Sequence, residues 1–291
     1  MTRIVRLSLV LAATVAVGCA PRAELIARQA APPTPAVIAR QTPQETWEQF
    51  QGPAAEQFLL KAQLRSIKTL GTGVTNPQRA ELELNGVQHS AVFKTIDDRK
   101  GGVTNLQRSS EMSFQDSWQL EVAGYAVDRI IGLRMVPATV ERTLNGKTGS
   151  LQWWVQSAMS EEGRRKGNHT PPDLEAWNRV NLKMALFDQL IFNVDRHLNN
   201  VLVTQDFDLR LIDHSRSFRP WTEIKDTKVL TRFSRSLLDG LQELEFGDLR
   251  KKVGRYLLDE QIRGLLARRD AILALAKTLV AERGEAAVLY P

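Results

Sequence analysis

Two stretches of the chain decide the fold: Asn193–Leu202, NVDRHLNNVL, and Leu211–Phe218, LIDHSRSF. In the first, Asp195 and Asn200 stand five residues apart in a predicted loop that follows an apolar helical pattern. In the second, Asp213 comes directly after two short predicted strands. A carboxylate can orient an attacking hydroxyl, and an Asn with a second carboxylate can hold the metal ions that bridge a nucleotide's phosphates. The two stretches therefore point to phosphoryl-transfer chemistry.

Three upstream features fit the same chemistry. Lys94 ends a predicted strand, where a cation can reach the α- and β-phosphates of ATP, and Glu121 on the next predicted helix can pair with it. Gly71 and Gly73 lie in a loop whose backbone N–H groups can cover the phosphates. Each residue alone is ordinary, since a lone Lys is usually solvated and a lone Asp usually belongs to a turn. Their joint order predicts a site for ATP with Mg²⁺ or Mn²⁺.

The motifs also resemble those of known atypical kinases. Asp195–Asn200, DRHLNN, resembles the catalytic loop of the phosphatidylinositol 3- and 4-kinases. Glu121–Thr139, EVAGYAVDRIIGLRMVPAT, resembles the corresponding helix and "VPPT" strand of the secretory-pathway (Golgi casein kinase) group. Asp213–Phe218, DHSRSF, is similar to that group's DNGRGF metal segment, with His214-Ser215 in place of Asn-Gly. The resemblance covers roughly Leu70 to Phe218.

The resemblance implies an α+β fold of two lobes, a small β-rich N-lobe and a mainly helical C-lobe. It implies that Asp195 is the catalytic base, that Asn200 and Asp213 bind the metal, that Lys94 contacts phosphate and that Glu121 partners the lysine. Gly71 and Gly73 would form the nucleotide loop, although Gly71–Pro77 is not the G-x-G-x-x-G of ordinary protein kinases. The secreted kinases carry disulfides, whereas this chain has a single Cys.

Sequence patterns place these residues on predicted elements. We predict an N-lobe over residues 46–156 and a C-lobe over residues 157–291. The expected elements are a helix over Thr46–Gln63 that Pro53 interrupts, Asn-Gly hairpins at 85–86 and 145–146, a mobile loop over Asp97–Gln115, a helix from an Asp116 capping box to Ile131, a largely buried helix over Leu174–Val194, and a long final helix.

The N-terminus predicts export. Residues 1–18 combine Arg3 and Arg6 with an apolar run, as in a secretory signal, and Cys19 follows Gly18 as in a bacterial lipobox. Residues 19–45 are rich in Pro and Ala and predict a tether. By resemblance to lipoproteins, Cys19 carries a lipid anchor and the protein lies at the outer membrane, facing the periplasm. An ordinary signal peptide with an incidental Cys is the alternative.

Composition narrows the function classes. The chain has 39 Lys+Arg and 33 Asp+Glu, a net charge of +6, which falls to +4 without Arg3 and Arg6. This charge is too small to indicate a nucleic-acid partner. We expect transfer of the γ-phosphate to a hydroxyl of a protein Ser/Thr, ahead of a sugar or lipid. Because ATP is scarce outside the inner membrane, the alternative function is that of a pseudokinase that binds nucleotide or a partner. A third candidate function is that of a metallohydrolase whose metal is held by Asp195, His197, Asp213 and His214.

Overall fold

The computed structural model describes residues 50–71, 76–106 and 110–291. All of them lie in one compact unit, Pro43–Pro291. The predicted signal, Cys19, the whole of the predicted tether and Gly73 lie outside the described residues. Within the described part, no helix is both long and apolar enough to cross a membrane.

A five-stranded antiparallel sheet forms the N-terminal region. Its strands are β1 Gln63–Thr69, β2 Gln78–Leu84, β3 Val87–Lys94, β8 Thr139–Leu144 and β9 Lys147–Trp153. Their order in the sheet is β1-β2-β3-β9-β8. Both predicted hairpins are confirmed, because Asn85-Gly86 and Asn145-Gly146 turn the chain with positive φ at all four residues. Primed turns require this conformation, and Asn and Gly adopt it at low cost.

Two helices pack against this sheet. Helix α1, Pro53–Lys61, begins at Pro53, after a break at Gln51 and Gly52 that follows helical Phe50, so the interruption expected at Pro53 is confirmed. Proline fits the first turn because its missing N–H has no helical partner there. Helix α2, Trp118–Ile131, is capped by Ser117, whose Oγ accepts from the Gln119 N–H at 3.3 Å, so the Asp116 capping box is wrong.

Between β3 and α2 the chain forms paired strands where a mobile loop was expected. The strands are β4 Asp97–Arg99, β5 Val103–Asn105, β6 Ser110–Met112 and β7 Gln115–Ser117, with β4 paired to β7 and β5 paired to β6. Polar residues hid these strands from the hydrophobic pattern. We call residues 97–106 and 110–117 the β4–β7 excursion.

The C-terminal region is mainly helical, as expected. Its helices are α3 Glu161–Lys166, α4 Leu174–Leu190, α5 Arg235–Gln242, α6 Phe246–Val253, α7 Asp259–Arg283 and α8 Glu285–Val288. The strands β10 Met159–Ser160, β11 Val201–Val203 and β12 Leu209–Leu211 form one small sheet, and β13 Phe233–Ser234 pairs in parallel with β14 Leu289–Tyr290. Helix α4 stops before Val194, and its buried residues begin only at Leu186.

A buried carboxylate fixes the chain that leaves α2. Gly132 ends the helix in the left-handed conformation, φ 71°. Asp128, fully buried, then accepts from the N–H groups of Met135 at 2.8 Å and Val136 at 3.1 Å. Burial raises the pKa of Asp128 to about 7, although these two bonds and the Gln51 amide oppose the shift. The carboxylate thus sets where the chain enters β8.

We predict that Asp128→Asn gains stability relative to wild type as pH rises. The native pKa of Asp128 lies above its unfolded value, so the native state binds the proton more tightly and wild-type stability falls between about pH 4 and pH 7. A neutral amide escapes this loss while keeping one acceptor oxygen. Urea unfolding of both proteins at pH 4.5 and pH 8 measures the difference. A pH-independent difference would contradict the assignment.

Candidate active site

Lys94, at the end of β3, lies at the centre of the site. Its Nζ donates to Glu121 Oε1 at 2.6 Å and to Asp213 Oδ1 at 2.9 Å. The side chains of Lys94 and Glu121 are 10% and 2% exposed. Burial acts to lower the pKa of Lys94, but the two carboxylates outweigh it and raise that pKa. The lysine therefore stays charged, and three sequence-predicted residues come together.

Glu121 also holds the segment after β12. Its Oε2 accepts from the backbone N–H of His214 at 2.9 Å. Burial favours its neutral form, yet Lys94 and His214 lower the pKa of Glu121 overall. His214 lies against Gly124 of α2, where an added Cβ would come 3.2 Å from the imidazole. The glycine thus allows the helix and the Asp213 segment to approach closely.

Asp213 adopts a left-handed conformation, with φ 61°. This conformation is costly for a residue with a side chain, and such strain is typical of functional sites. Ser215 Oγ donates to Asp213 Oδ1 at 3.1 Å, so the carboxylate is oriented by Lys94 and Ser215 together. The side chain of Asp213 remains 34% exposed on the cleft.

The Asp195–Asn200 loop is built around one arginine. Arg196 forms an ion pair with Asp188 of α4, with Nε 3.0 Å from Oδ2, and both side chains are about one-tenth exposed. Its Nη1 donates to the carbonyls of Asn200 and Ile212, each at 2.7 Å. One guanidinium therefore joins the loop to the strand that leads into Asp213.

Asp195 and Asn200 are fixed to each other within this loop. The Asn200 Nδ2 donates to the Asp195 carbonyl at 3.0 Å, and the Asp195 N–H donates to Asn193 Oδ1 at 2.9 Å. The Asp195 carboxylate is 36% exposed on the cleft. Burial is the main cause that raises its pKa; the charge of His197 opposes this and that of Asp213 adds to it.

A cleft of about 1190 Å³ joins these groups. Lys94, Asp195, Asn200 and Asp213 all line it, whereas the exposed Gly71 does not. Glu121 lies behind Lys94 and contacts the cleft through it. Apolar and aromatic side chains line a large part of the rest of the cleft: Leu70, Pro77, Val92, Leu106, Phe114, Trp153, Trp154, Val155, Ala158, Leu202 and Ile212. Such a mixture suits a ligand with a flat apolar part and a charged part.

The sequence interpretation missed two charged residues of the cleft. Asp116, interpreted as a helix cap, has a buried Oδ1 without a hydrogen-bond partner, and burial raises its pKa. Arg216 lies 3.4 Å from Asp195 Oδ2. No motif connected Asp116 with a functional site. Arg216 lies in the DHSRSF segment, so the sequence indicated that it is near the site, but not that it contacts Asp195.

The donor set fits a hard divalent cation. Asp213 supplies carboxylate oxygen, and Asn200 spends its Nδ2 on the Asp195 carbonyl, which leaves its amide oxygen as a ligand. Oxygen donors suit Mg²⁺ and Mn²⁺. The metal cluster expected for a metallohydrolase, Asp195, His197, Asp213 and His214, does not form. His214 is fully buried, and its Nε2 contacts Arg196 at 3.0 Å. Among the described residues, no three His, Cys, Asp or Glu side chains are placed to hold a metal.

Comparison with solved structures supports the same architecture. A Fam20 structure from hydra with sugar matches at TM-score 0.61 and 15% identity, over 81% of this chain and 90% of that one. The chain has an atypical-kinase fold. The Golgi casein kinase matches at TM-score 0.60 and 16% identity, over 87% of this chain and 84% of that one. Its Mn/ADP-bound structure matches at TM-score 0.59 and 15% identity, over 84% and 83% of the two chains. The two-lobed α+β fold and the resemblance to the secretory-pathway kinases are thus confirmed.

Comparisons of the amino-acid sequence find no similar protein family and no similar curated protein. The likeness is therefore one of fold, carried by the arrangement of elements and by the short motifs.

We predict that Lys94→Met lowers the free energy of unfolding by about 3–5 kcal/mol, because it leaves the Glu121 carboxylate buried without its cation. The double variant Lys94→Met/Glu121→Gln loses less than the sum of the single variants. Lys166→Met is the control, since the side chains of Lys166 and its partner Glu162 are 74% and 38% exposed and an exposed pair contributes little to the free energy of unfolding. Urea unfolding measures the wild type and the four variants, which include the single variant Glu121→Gln. Additive losses at Lys94 and Glu121 would show that the pair is not coupled.

Proposed function

We propose that the protein is an ATP-dependent phosphotransferase that uses Mg²⁺ or Mn²⁺ and transfers the γ-phosphate to a hydroxyl. One observation carries the proposal: a buried Lys94–Glu121 pair, the Asp195–Asn200 loop and Asp213 come together at one cleft from distant parts of the sequence. Phosphoryl transfer depends on positioning and charge stabilisation more than on covalent chemistry, and these groups supply both.

Each residue has a separate part in this proposal. Lys94, kept charged by Glu121, contacts the α- and β-phosphates. Asn200 and Asp213 hold the metal, which neutralises phosphate charge when bound. The apolar walls, including Val92, take the nucleotide base. That the Golgi casein kinase structure at TM-score 0.59 has Mn/ADP bound supports this choice of cofactors.

Asp195 orients the acceptor hydroxyl and accepts its proton. The carboxylate is half-buried and oriented through its own backbone, so it can hold a hydroxyl in line with the phosphate. Because the transition state is loose, orientation matters more than basicity. We favour a protein Ser or Thr as the acceptor, ahead of a sugar or lipid; the similar structures carry the names casein kinase and Fam20 with sugar.

We predict that Asp195→Asn and Asp213→Asn fail at different steps. Asp195→Asn should lower kcat by about 10²–10⁴-fold while ATP affinity changes only a few-fold, because Asp195 faces the acceptor. Asp213→Asn should weaken metal-dependent ATP binding, and added Mn²⁺ should restore it in part. The assay uses labelled ATP with casein, sugars and lipids as acceptors, and nucleotide-dependent shifts in Tm report binding.

The outcomes separate the candidate functions. A wild-type Tm that rises with ATP and metal, together with transfer to an acceptor, supports the proposal. A Tm shift without transfer to any acceptor in the panel indicates a pseudokinase that binds nucleotide. An Asp195→Asn protein that folds, binds ATP and transfers phosphate normally would refute the mechanism.

We also propose that Cys19 carries a lipid and anchors the protein at the outer membrane, facing the periplasm. The sole Cys follows a small residue at the end of the apolar run, as in a lipobox. Mass spectrometry of the mature N-terminus after expression in a Gram-negative host should find residue 19 first and acylated. Cys19→Ser is the control that cannot be acylated. An unmodified Cys19 in the wild-type protein would refute the anchor and leave the phosphotransferase proposal intact.

A further inference from the structure

Arg216 lies between two carboxylates that come from different regions of the fold. Its Nη2 forms an ion pair with Glu111 Oε1 in β6, and its Nη1 lies 3.4 Å from Asp195 Oδ2. The arginine side chain is only 19% exposed, and its Nε is buried without a partner. Within the described residues, Glu111 and Asp195 are the two acids that form ion pairs with it. They therefore share one guanidinium.

Glu111 also serves a second, more deeply buried arginine. Its Oε2 lies 2.9 Å from Arg219 Nη2, and the Arg219 side chain is 2% exposed. Burial, with the adjacent charge of Arg216, lowers the pKa of Arg219 to about 10. When the charge of one partner in a buried ion pair is removed, the other charge is left uncompensated, and the free energy of unfolding falls. Glu111 thus compensates two neighbouring cations beside the site.

The position of Glu111 is set by the rest of the β4–β7 excursion. The Ser117 N–H donates to the Ser215 carbonyl at 3.0 Å, and the Gln115 side chain donates to the Ser217 carbonyl. Gln261 of α7 donates to Gln115 Oε1 at 3.1 Å. These bonds hold β7 along the segment that follows Asp213 and so place the neighbouring strand β6, with Glu111, beside Arg216.

We propose that Glu111 is a positioning residue that keeps Arg216 at the long distance of 3.4 Å from Asp195, so that this carboxylate remains available to the acceptor hydroxyl. The inference rests on the proposed phosphotransferase function. Without the Glu111 charge, Asp195 is the one acid among the described residues that still forms an ion pair with Arg216, and the poorly solvated guanidinium moves closer to it. Asp195 then accepts from Arg216 in place of the acceptor. Lys94 pairs with Glu121 and Asp213 and not with Glu111, so nucleotide binding is spared.

A crystal structure of Glu111→Gln tests the placement without any need for turnover. Arg216 Nη1 should move from 3.4 Å to about 2.8 Å from Asp195 Oδ2, the usual length of a charged hydrogen bond. An Arg216 that stays in place or turns to solvent would overturn the inference. The readout is independent of the proposed activity, so the two claims can fail separately.

Kinetics with ATP and casein then separate positioning from a structural role. Glu111→Gln should lower kcat/KM for casein roughly tenfold while KM for ATP changes by less than about threefold, the usual scale of coupling between contacting charges. Glu111→Asp should retain most activity. Adding Arg216→Gln to Glu111→Gln should restore most of the loss, because no guanidinium remains to cover Asp195.

The matched control is Glu141→Gln. The Glu141 side chain, in β8, is 17% exposed, against 20% for that of Glu111. Like Glu111, it pairs with an arginine of the C-terminal region, since its Oε1 lies 2.6 Å from Arg255 Nη2. Unlike Arg216 and Asp195, it does not line the cleft. It should leave both kinetic constants unchanged. If the double variant is as impaired as Glu111→Gln, or if Glu141→Gln has the same effect, Glu111 has only a structural role. If Glu111→Gln does not fold, the folded double variant and Glu111→Asp decide the same point.

Discussion

The buried pair of Lys94 and Glu121 is the interaction on which the rest of the site depends. A lysine that is 10% exposed and a glutamate that is 2% exposed are stable only together, because either charge alone would be expensive to bury. Glu121 has a second oxygen, which accepts from the His214 N–H, and Lys94 has a second partner, Asp213. The pair therefore fixes β3, α2 and the segment after β12 relative to one another.

A second charged group performs the same task for the Asp195–Asn200 loop. Arg196, paired with Asp188, donates to the carbonyls of Asn200 and Ile212 and contacts His214. These bonds satisfy backbone groups that a loop would otherwise leave without partners. The two networks meet at His214, whose N–H bonds to Glu121 and whose ring contacts Arg196. The predicted catalytic base and metal ligands thus lie on a framework of buried ion pairs.

The main elements could be predicted because each has a local cause. Alternating apolar residues and Asn-Gly turns predicted the hairpins, and the helical spacing of apolar residues predicted α2, α4 and α7. The β4–β7 excursion could not be predicted, because its strands are short and polar and depend on bonds to the segment after Asp213. The start of α2 was misplaced for a similar reason: Asp116 and Ser117 are both good caps, and tertiary contacts turn Asp116 into the cleft.

By itself, the sequence determined which residue types the site contains and their order: a lysine on a strand, a glutamate on the next helix, and the Asp195, Asn200 and Asp213 pattern. Spacing along the chain can specify these because each motif is local. Only the tertiary structure decided that Lys94 meets Asp213, which is 119 residues away, that Gly71 lies outside the cleft lining, and that Arg216 sits between Glu111 and Asp195. Contacts between distant segments depend on how the two regions pack, and burial makes charged contacts strong enough to matter, so no local pattern encodes them.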